Sequence, residues 1–144
     1  MGALPNSYSG PPRLLLVDDD PVVRRVTATL LERRLGLVVT PAFGAMQALS
    51  LMRREPFDAV LVDLDMPEMG GLELVQRVRS LFPKVVIGVW SGRPVSDELD
   101  GSGARFFVNK GEKSGALIEA LRSALDIDPL HSGMHVRTLD DAER

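Results

Sequence analysis

The stretch Ala59-Val60-Leu61-Val62-Asp63 decides the fold of this chain of 144 residues. Four consecutive apolar residues that end in a carboxylate predict a short strand, buried on both faces of a sheet. The loop Leu64-Asp65-Met66-Pro67-Glu68-Met69-Gly70-Gly71 follows, and its proline and glycines favour turns. A strand of this kind is typical of a parallel sheet that has helices on both faces.

Two further apolar runs end in polar residues in the same way. Leu14-Leu15-Leu16-Val17 precedes Asp18-Asp19-Asp20, and Phe106-Phe107-Val108 precedes Asn109-Lys110. Because ligands of parallel sheets bind at the carboxyl ends of the strands, we expect these polar residues to share one site with Asp63.

Segments with helical periodicity separate the apolar runs. The first helix begins at Pro21 with Asp20 as its N-cap, and Gly36 ends it. Its buried stripe is predicted to be Val22, Val26, Leu30 and Leu31. The pattern also predicts strands at 37–39 and 85–90, and helices with apolar stripes over 45–52, 72–82 and 117–125. Such alternation predicts an α/β fold with a parallel sheet and right-handed crossovers.

The composition excludes several classes of protein and of site. The chain is 44% hydrophobic and 26% charged, as is ordinary for a globular protein, and its length fits one domain. A net charge of −3 argues against direct nucleic-acid binding, and the absence of cysteine excludes disulfides and thiolate sites. Every apolar run is too short to span a membrane, so we expect a cytoplasmic protein.

The chain divides into three parts. Residues 1–12 contain prolines and glycines among small polar residues and are predicted to be a flexible leader. Residues 13–126 form the domain, and residues 127–144 are predicted to be a C-terminal tail or linker. We expect that last segment to hold no output domain, because it is too short, and the output function to belong to a partner or to a further domain.

The polar residues at the strand ends suit phosphoryl chemistry. Asp18, Asp19 and Asp63 offer the oxygen ligands that Mg²⁺ prefers, and their mutual repulsion favours a bound cation. A carboxylate can attack phosphorus and form an aspartyl phosphate. Lys110 and the hydroxyl of Ser91, at the end of the fourth strand, could then bind phosphoryl oxygens.

Four groups of residues occur in the order typical of the receiver domain of two-component response regulators, the CheY-like family. They are Val17–Pro21, Asp63 with Met66-Pro67 and Gly70-Gly71, Ser91-Gly92, and Gly103-Ala104 followed by Phe107 and Lys110. The chain resembles this family over about residues 13–126. The resemblance implies a flavodoxin-like (βα)5 fold, with a five-stranded parallel sheet in the order 2-1-3-4-5.

The resemblance also implies how the acids act. Asp63 would accept a phosphoryl group from a phosphohistidine on a sensor histidine kinase or a phosphotransfer protein. Asp19 would bind Mg²⁺ directly, Asp18 would do so mainly through water, and Asp65 would contribute its backbone carbonyl.

The remaining implied roles concern signalling. Ser91 and Lys110 would hold the phosphoryl oxygens, and Ser91 and Phe107 would change position on activation. The resemblance therefore implies a signalling domain that catalyses only its own phosphorylation and dephosphorylation, and that changes its partner binding, with homodimerisation as one option.

Two departures from the family pattern and one hypothesised ion pair modify this expectation. Gly111 follows Lys110 where the family usually has a proline with a cis bond before it; a cis bond without proline costs roughly 3 kcal/mol, which favours trans but leaves the isomer open. The stretch 91–110 is about one helical turn short, which predicts a shortened fourth helix and weakens the expectation of dimerisation through it. We also hypothesise that Asp65 and Arg93 pair across the mouth of the site, the alternative being two solvated side chains.

Two other functions stay open on the sequence. A degenerate receiver would bind a partner without phosphorylation, and Gly111 with the shortened fourth helix is compatible with that. A haloacid-dehalogenase-like phosphatase would start with a DxD motif such as Asp63-Leu64-Asp65. Pro67 stands where that family has threonine or valine, which disfavours the phosphatase.

Overall fold

The computed structural model describes residues 10–67, 69–92 and 101–127. The strands are β1 (Arg13–Val17), β2 (Val38–Ala42), β3 (Ala59–Val62), β4 (Val86–Ser91) and β5 (Phe106–Asn109). The helices are α1 (Pro21–Leu35), α2 (Ala45–Arg54), α3 (Gly71–Leu81) and α4 (Ser114–Ala124). All strand pairs are parallel, in the order β2-β1-β3-β4-β5. This order confirms the predicted flavodoxin-like fold.

The inner position of β1 brings two acidic strand ends together. Val17, the last residue of β1, is in register with Ala42 of β2 on one side and with Val62 of β3 on the other. The residues that follow, Asp18 and Asp63, therefore leave the sheet at the same edge.

The core consists of two apolar clusters, one on each face of the sheet, because alternate residues of a strand point to opposite faces. Leu15 and Val17 belong to the cluster that includes residues of α2 and α3. Leu14 and Leu16 belong to the cluster that includes residues of α1 and α4. The central strands are buried on both faces, as their unbroken apolar sequence predicted.

The predicted buried stripe of α1 is partly wrong. Val22 is 65% exposed and Val26 is 62% exposed, whereas Thr27, Leu31 and Leu35 are buried. Consecutive helical residues are about 100° apart, so Val22 and Leu31 lie on opposite sides of the helix and cannot share a face. The row through Leu31 and Leu35 packs on the sheet.

Strand β2 is longer than predicted, since it extends past residue 39 to Ala42 and includes Pro41. A proline disfavours a strand assignment, but it is tolerated at the edge of a sheet, which is where β2 lies. Gly36 ends α1 as predicted, with φ +69° in the left-handed region, and its N–H donates to the Glu32 carbonyl.

Several predictions fall outside the described residues. The segment expected to hold the shortened fourth helix includes residues 93–100, and most of the predicted leader and tail falls in 1–9 and 128–144. Among the described residues there is no cis peptide bond, so the Lys110–Gly111 bond, whose isomer the sequence left open, is trans. In this described part, no helix combines the length and the apolar character needed to cross a membrane.

Candidate functional site

The backbone ladder of the sheet positions the acids. The Asp63 N–H donates to the Val17 carbonyl at 3.0 Å, and the Asp18 N–H donates to the Ala42 carbonyl at 3.1 Å. Carboxylate oxygens of Asp18, Asp19 and Asp63 all lie within 4.8 Å of one another. The predicted convergence of these three acids is present, with Asp18 and Asp63 buried and Asp19 exposed.

Lys110 adds a positive charge to this cluster from the end of β5. Its Nζ lies 2.7 Å from Oδ2 of Asp18 and 3.5 Å from Oδ2 of Asp63. Its backbone N–H donates to the Ser91 carbonyl at 2.8 Å, which joins the ends of β4 and β5. The structure therefore brings the predicted lysine and serine to the same edge as the acids.

The turn between β1 and α1 is held by hydrogen bonds from its own residues. Oδ1 of Asp20 accepts from the N–H groups of Val22 and Val23 at 2.9 and 3.2 Å, so Asp20 is the predicted N-cap. The Asp20 N–H in turn donates to Oδ1 of Asp18 at 2.9 Å. Because this bond orients the Asp18 carboxylate, its second oxygen points toward Lys110.

Arg24 is a further residue of the site that the sequence patterns did not indicate. Its Nη1 donates to the backbone carbonyl of Asp18 at 2.8 Å, from the first turn of α1. The periodicity of apolar residues does not indicate a contact between a long polar side chain and a backbone carbonyl six residues earlier. The double arginine Arg24-Arg25, so close after the acids, was the available signal.

The loop after β3 approaches the acids closely. The Asp65 N–H donates to Oδ1 of Asp63 at 3.2 Å, which holds one oxygen of that carboxylate toward the loop. The Gly71 N–H donates to the Leu64 carbonyl at 3.1 Å. A Cβ atom on Gly71 would overlap the Asp63 carbonyl oxygen and the Leu64 Cα, so only glycine permits this approach.

Burial and charge shift the two central ionisable groups. Burial raises the pKa of Asp63, and the nearby Asp18 adds to this, while the Asp65 N–H and Lys110 act in the opposite direction. Burial alone would lower the pKa of Lys110, but its hydrogen bond and attraction to Asp18, together with Asp63, raise it. Lys110 therefore stays a cation at neutral pH, and it is well placed to bind an anion.

The other predicted site residues have mixed placements. Ser91 is fully buried at the end of β4. Phe107 is half-buried and packs against the cluster on the α2 and α3 face, where a change of its position would alter that packing. Arg93 lies outside the described residues, so its predicted pairing with Asp65 stays a prediction.

Known proteins resemble this chain in sequence. Residues 14–122 match the response regulator receiver domain family. The transcriptional regulatory protein GlrR of Escherichia coli (strain K12) is 33% identical over 119 residues, which cover 81% of this chain and 27% of GlrR. The chain spans between 10% and 27% of the lengths of the first three curated relatives that it matches.

Solved structures resemble it in fold. A CheY-like response regulator receiver domain protein from Methanospirillum hungatei JF-1 gives a TM-score of 0.76 at 28% identity, covering 81% of this chain and 95% of that one. The response regulator TrrA of Thermotoga maritima, solved with Mg²⁺ and BeF, gives 0.72 at 25% identity, covering 78% of this chain and 98% of that one.

The sheet order, the acids at the strand ends and the lysine opposite them agree with these matches. A family match that runs from the first core strand into α4 covers nearly the whole described domain. The chain therefore belongs to the response regulator receiver domain family, a signalling module of two-component systems.

Proposed function

We propose that this chain is a phosphoacceptor: Asp63 receives a phosphoryl group from a phosphohistidine and the modified domain changes its partner binding. One observation carries the proposal. A buried carboxylate at a strand end lies 3.5 Å from a lysine ammonium and within 4.8 Å of two other carboxylates. Attack on phosphorus needs this combination of a nucleophilic oxygen, a cation for the phosphoryl oxygens and acids to hold a metal ion.

In the proposed reaction, a carboxylate oxygen of Asp63 attacks the phosphorus atom of the donor. A P–O bond forms, the P–N bond to the donor histidine breaks, and the imidazole nitrogen keeps the electron pair. Lys110 and the hydroxyl of Ser91 bind phosphoryl oxygens and stabilise the charge that develops on them. The donor is a sensor histidine kinase or a phosphotransfer protein, and we place the reaction in the cytoplasm.

The acids suit a Mg²⁺ ion. Asp18, Asp19 and Asp63 supply oxygen ligands whose mutual distances fit one small cation, and the Asp65 carbonyl is a fourth candidate. When bound, Mg²⁺ neutralises charge on the phosphoryl oxygens. The related TrrA, solved with Mg²⁺ and BeF, supports this assignment.

Phosphorylation by a small donor tests the proposal. The protein is incubated with acetyl phosphate and Mg²⁺, and its intact mass is measured. We expect a gain of one phosphoryl group, because the Asp63 carboxylate displaces acetate from phosphorus. Asp63→Asn should show no gain, and neither should the parent when a chelator removes Mg²⁺.

The same experiment, together with an assay of small phosphate esters, identifies the alternatives. A parent that shows no gain in mass under any donor would indicate a degenerate receiver that binds partners without phosphorylation. Steady turnover of small phosphate esters, lost in Asp63→Asn, would indicate a phosphatase. Either result would contradict the proposal.

A further inference from the structure

We propose that Arg24 is a positioning residue of the acidic site, which holds the Asp18 carbonyl and thereby directs the Asp19 carboxylate toward the cation. This inference rests on the proposed function, since it concerns the same acids. The contact that carries it joins Nη1 of Arg24 to the Asp18 carbonyl oxygen at 2.8 Å in a part-buried position.

Asp18 is anchored at each of its polar atoms. Its N–H donates to the Ala42 carbonyl, its Oδ1 accepts from Asp20, and its Oδ2 accepts from Lys110. Arg24 supplies the anchor at the remaining atom, the backbone carbonyl oxygen. The first three bonds fix the strand end and the side chain, whereas the bond from Arg24 fixes the peptide group that leads to the next residue.

That peptide group limits where Asp19 can point. The carbonyl of Asp18 and the N–H of Asp19 belong to one planar unit, so a fixed carbonyl fixes the rotation of the whole unit. The Asp19 carboxylate is exposed, yet its oxygen lies within 4.8 Å of those of Asp18 and Asp63. Repulsion among the three acids favours an outward rotation of Asp19, and Arg24 opposes that rotation.

The charge of Arg24 should weaken the binding of a cation, whereas its positioning of Asp19 should strengthen that binding. A guanidinium near the acids repels Mg²⁺, so a purely electrostatic role predicts tighter Mg²⁺ binding when Arg24 is replaced by a neutral residue. The positioning role predicts weaker binding, because Asp19 is then free to turn toward water. The two explanations therefore differ in the sign of the effect.

The neighbouring residue provides a matched control. Arg25 carries the same charge one position later on α1, and its side chain is exposed. Arg25→Met removes that charge and leaves the bond from Arg24 to Asp18 in place. Arg24→Met removes both, and Arg24→Lys keeps the charge but loses the guanidinium geometry.

The decisive measurement is a calorimetric titration of the full chain with Mg²⁺. We expect Arg24→Met to weaken binding roughly ten-fold, about the net contribution of one charged hydrogen bond, with Arg24→Lys between it and the parent. Binding by Arg24→Met that is as tight as by Arg25→Met, or tighter, would overturn the inference.

A second measurement does not need the metal. The Asp20 N–H donates to Oδ1 of Asp18 within the same turn, so its hydrogen exchange reports on the order of that turn. In metal-free protein it should exchange faster in Arg24→Met than in Arg25→Met, and equal rates would also overturn the inference. Arg24→Lys is compared in the same way should the Met variant fail to fold.

The two proposals fail in different ways. A parent that neither binds Mg²⁺ nor gains a phosphoryl group contradicts the proposed function, whereas the exchange comparison still shows whether Arg24 orders the turn. If the parent binds Mg²⁺ and gains a phosphoryl group, but the Arg24 and Arg25 variants have equal Mg²⁺ affinities and equal exchange rates, only the role of Arg24 is contradicted.

Discussion

The ammonium group of Lys110 lies closer to Asp18 than to Asp63, at 2.7 Å against 3.5 Å. Asp18 is only 1% exposed, so water contributes little to the stability of its charge. Lys110 therefore has a structural function besides the proposed binding of phosphoryl oxygens, and its removal leaves two buried carboxylates without their cation.

Replacing Lys110 by methionine should destabilise the metal-free protein by about 2–3 kcal/mol, because a buried charge then loses its partner. Urea unfolding measures the change, and Lys113→Met is the control, since that side chain is exposed. Added Mg²⁺ should stabilise Lys110→Met more than the parent. Equal unfolding midpoints for the two variants would show that the ion pair contributes nothing.

Gly71→Ala should cost about 2 kcal/mol of stability, because the added methyl group overlaps the Asp63 carbonyl and forces the loop away. It should also slow the reaction with acetyl phosphate. Gly70→Ala is the matched control, because a Cβ there meets nothing within 4 Å. Thermal unfolding and intact mass measure the two effects; equal losses in both variants would contradict the overlap.

Asp63→Asn should raise the melting temperature of the metal-free protein at neutral pH, since it removes a buried charge. Burial raises the pKa of Asp63 above 3.8, so the folded state binds that proton more tightly than the unfolded chain. The cost of the ionised carboxylate is therefore present above the folded-state pKa and is lost as the pH falls through it.

The difference in melting temperature between Asp63→Asn and the parent should consequently shrink as the pH is lowered from neutral toward 3.8. Differential scanning calorimetry across this range measures it. Asp19→Asn is the comparison, because it removes an exposed charge from the same cluster. A difference that stays constant with pH would show that burial of the Asp63 charge is not the cause.

Asp20→Ala should destabilise the protein by about 1 kcal/mol, because the N–H groups of Val22 and Val23 lose their acceptor. Asp20→Asn retains an acceptor oxygen and should unfold close to the parent. Chemical denaturation compares the three proteins. A loss of equal size in both variants would point to the charge of Asp20 rather than to its cap.

The sequence predicted the sheet and the convergence of the acids with the lysine well because both depend on local rules. Unbroken apolar runs identified the buried strands, and the rule that parallel strands end at one edge brought Asp18, Asp63 and Lys110 together. Pro41 concealed the length of β2, because tolerance of a proline depends on the position of the strand in the sheet.

Contacts made through tertiary structure were beyond the sequence patterns. The face of α1 that packs was predicted only in part, because the exposed Val22 and Val26 are as apolar as the buried Leu31. The bond from Arg24 to the Asp18 carbonyl and the approach of Gly71 to Asp63 depend on how a loop and a helix meet, and residue spacing does not encode either distance.

The strand order also separates the site into a fixed half and an adjustable half. Asp18 and Asp63 follow inner strands whose ladders are paired on both sides, whereas Lys110 follows β5, which borders the sheet and pairs on one side among the described strands. Displacing the acids would break two ladders, and displacing the lysine would break one. If a phosphoryl group is added to Asp63, the change in backbone position should therefore begin at β5 and spread from there into α4.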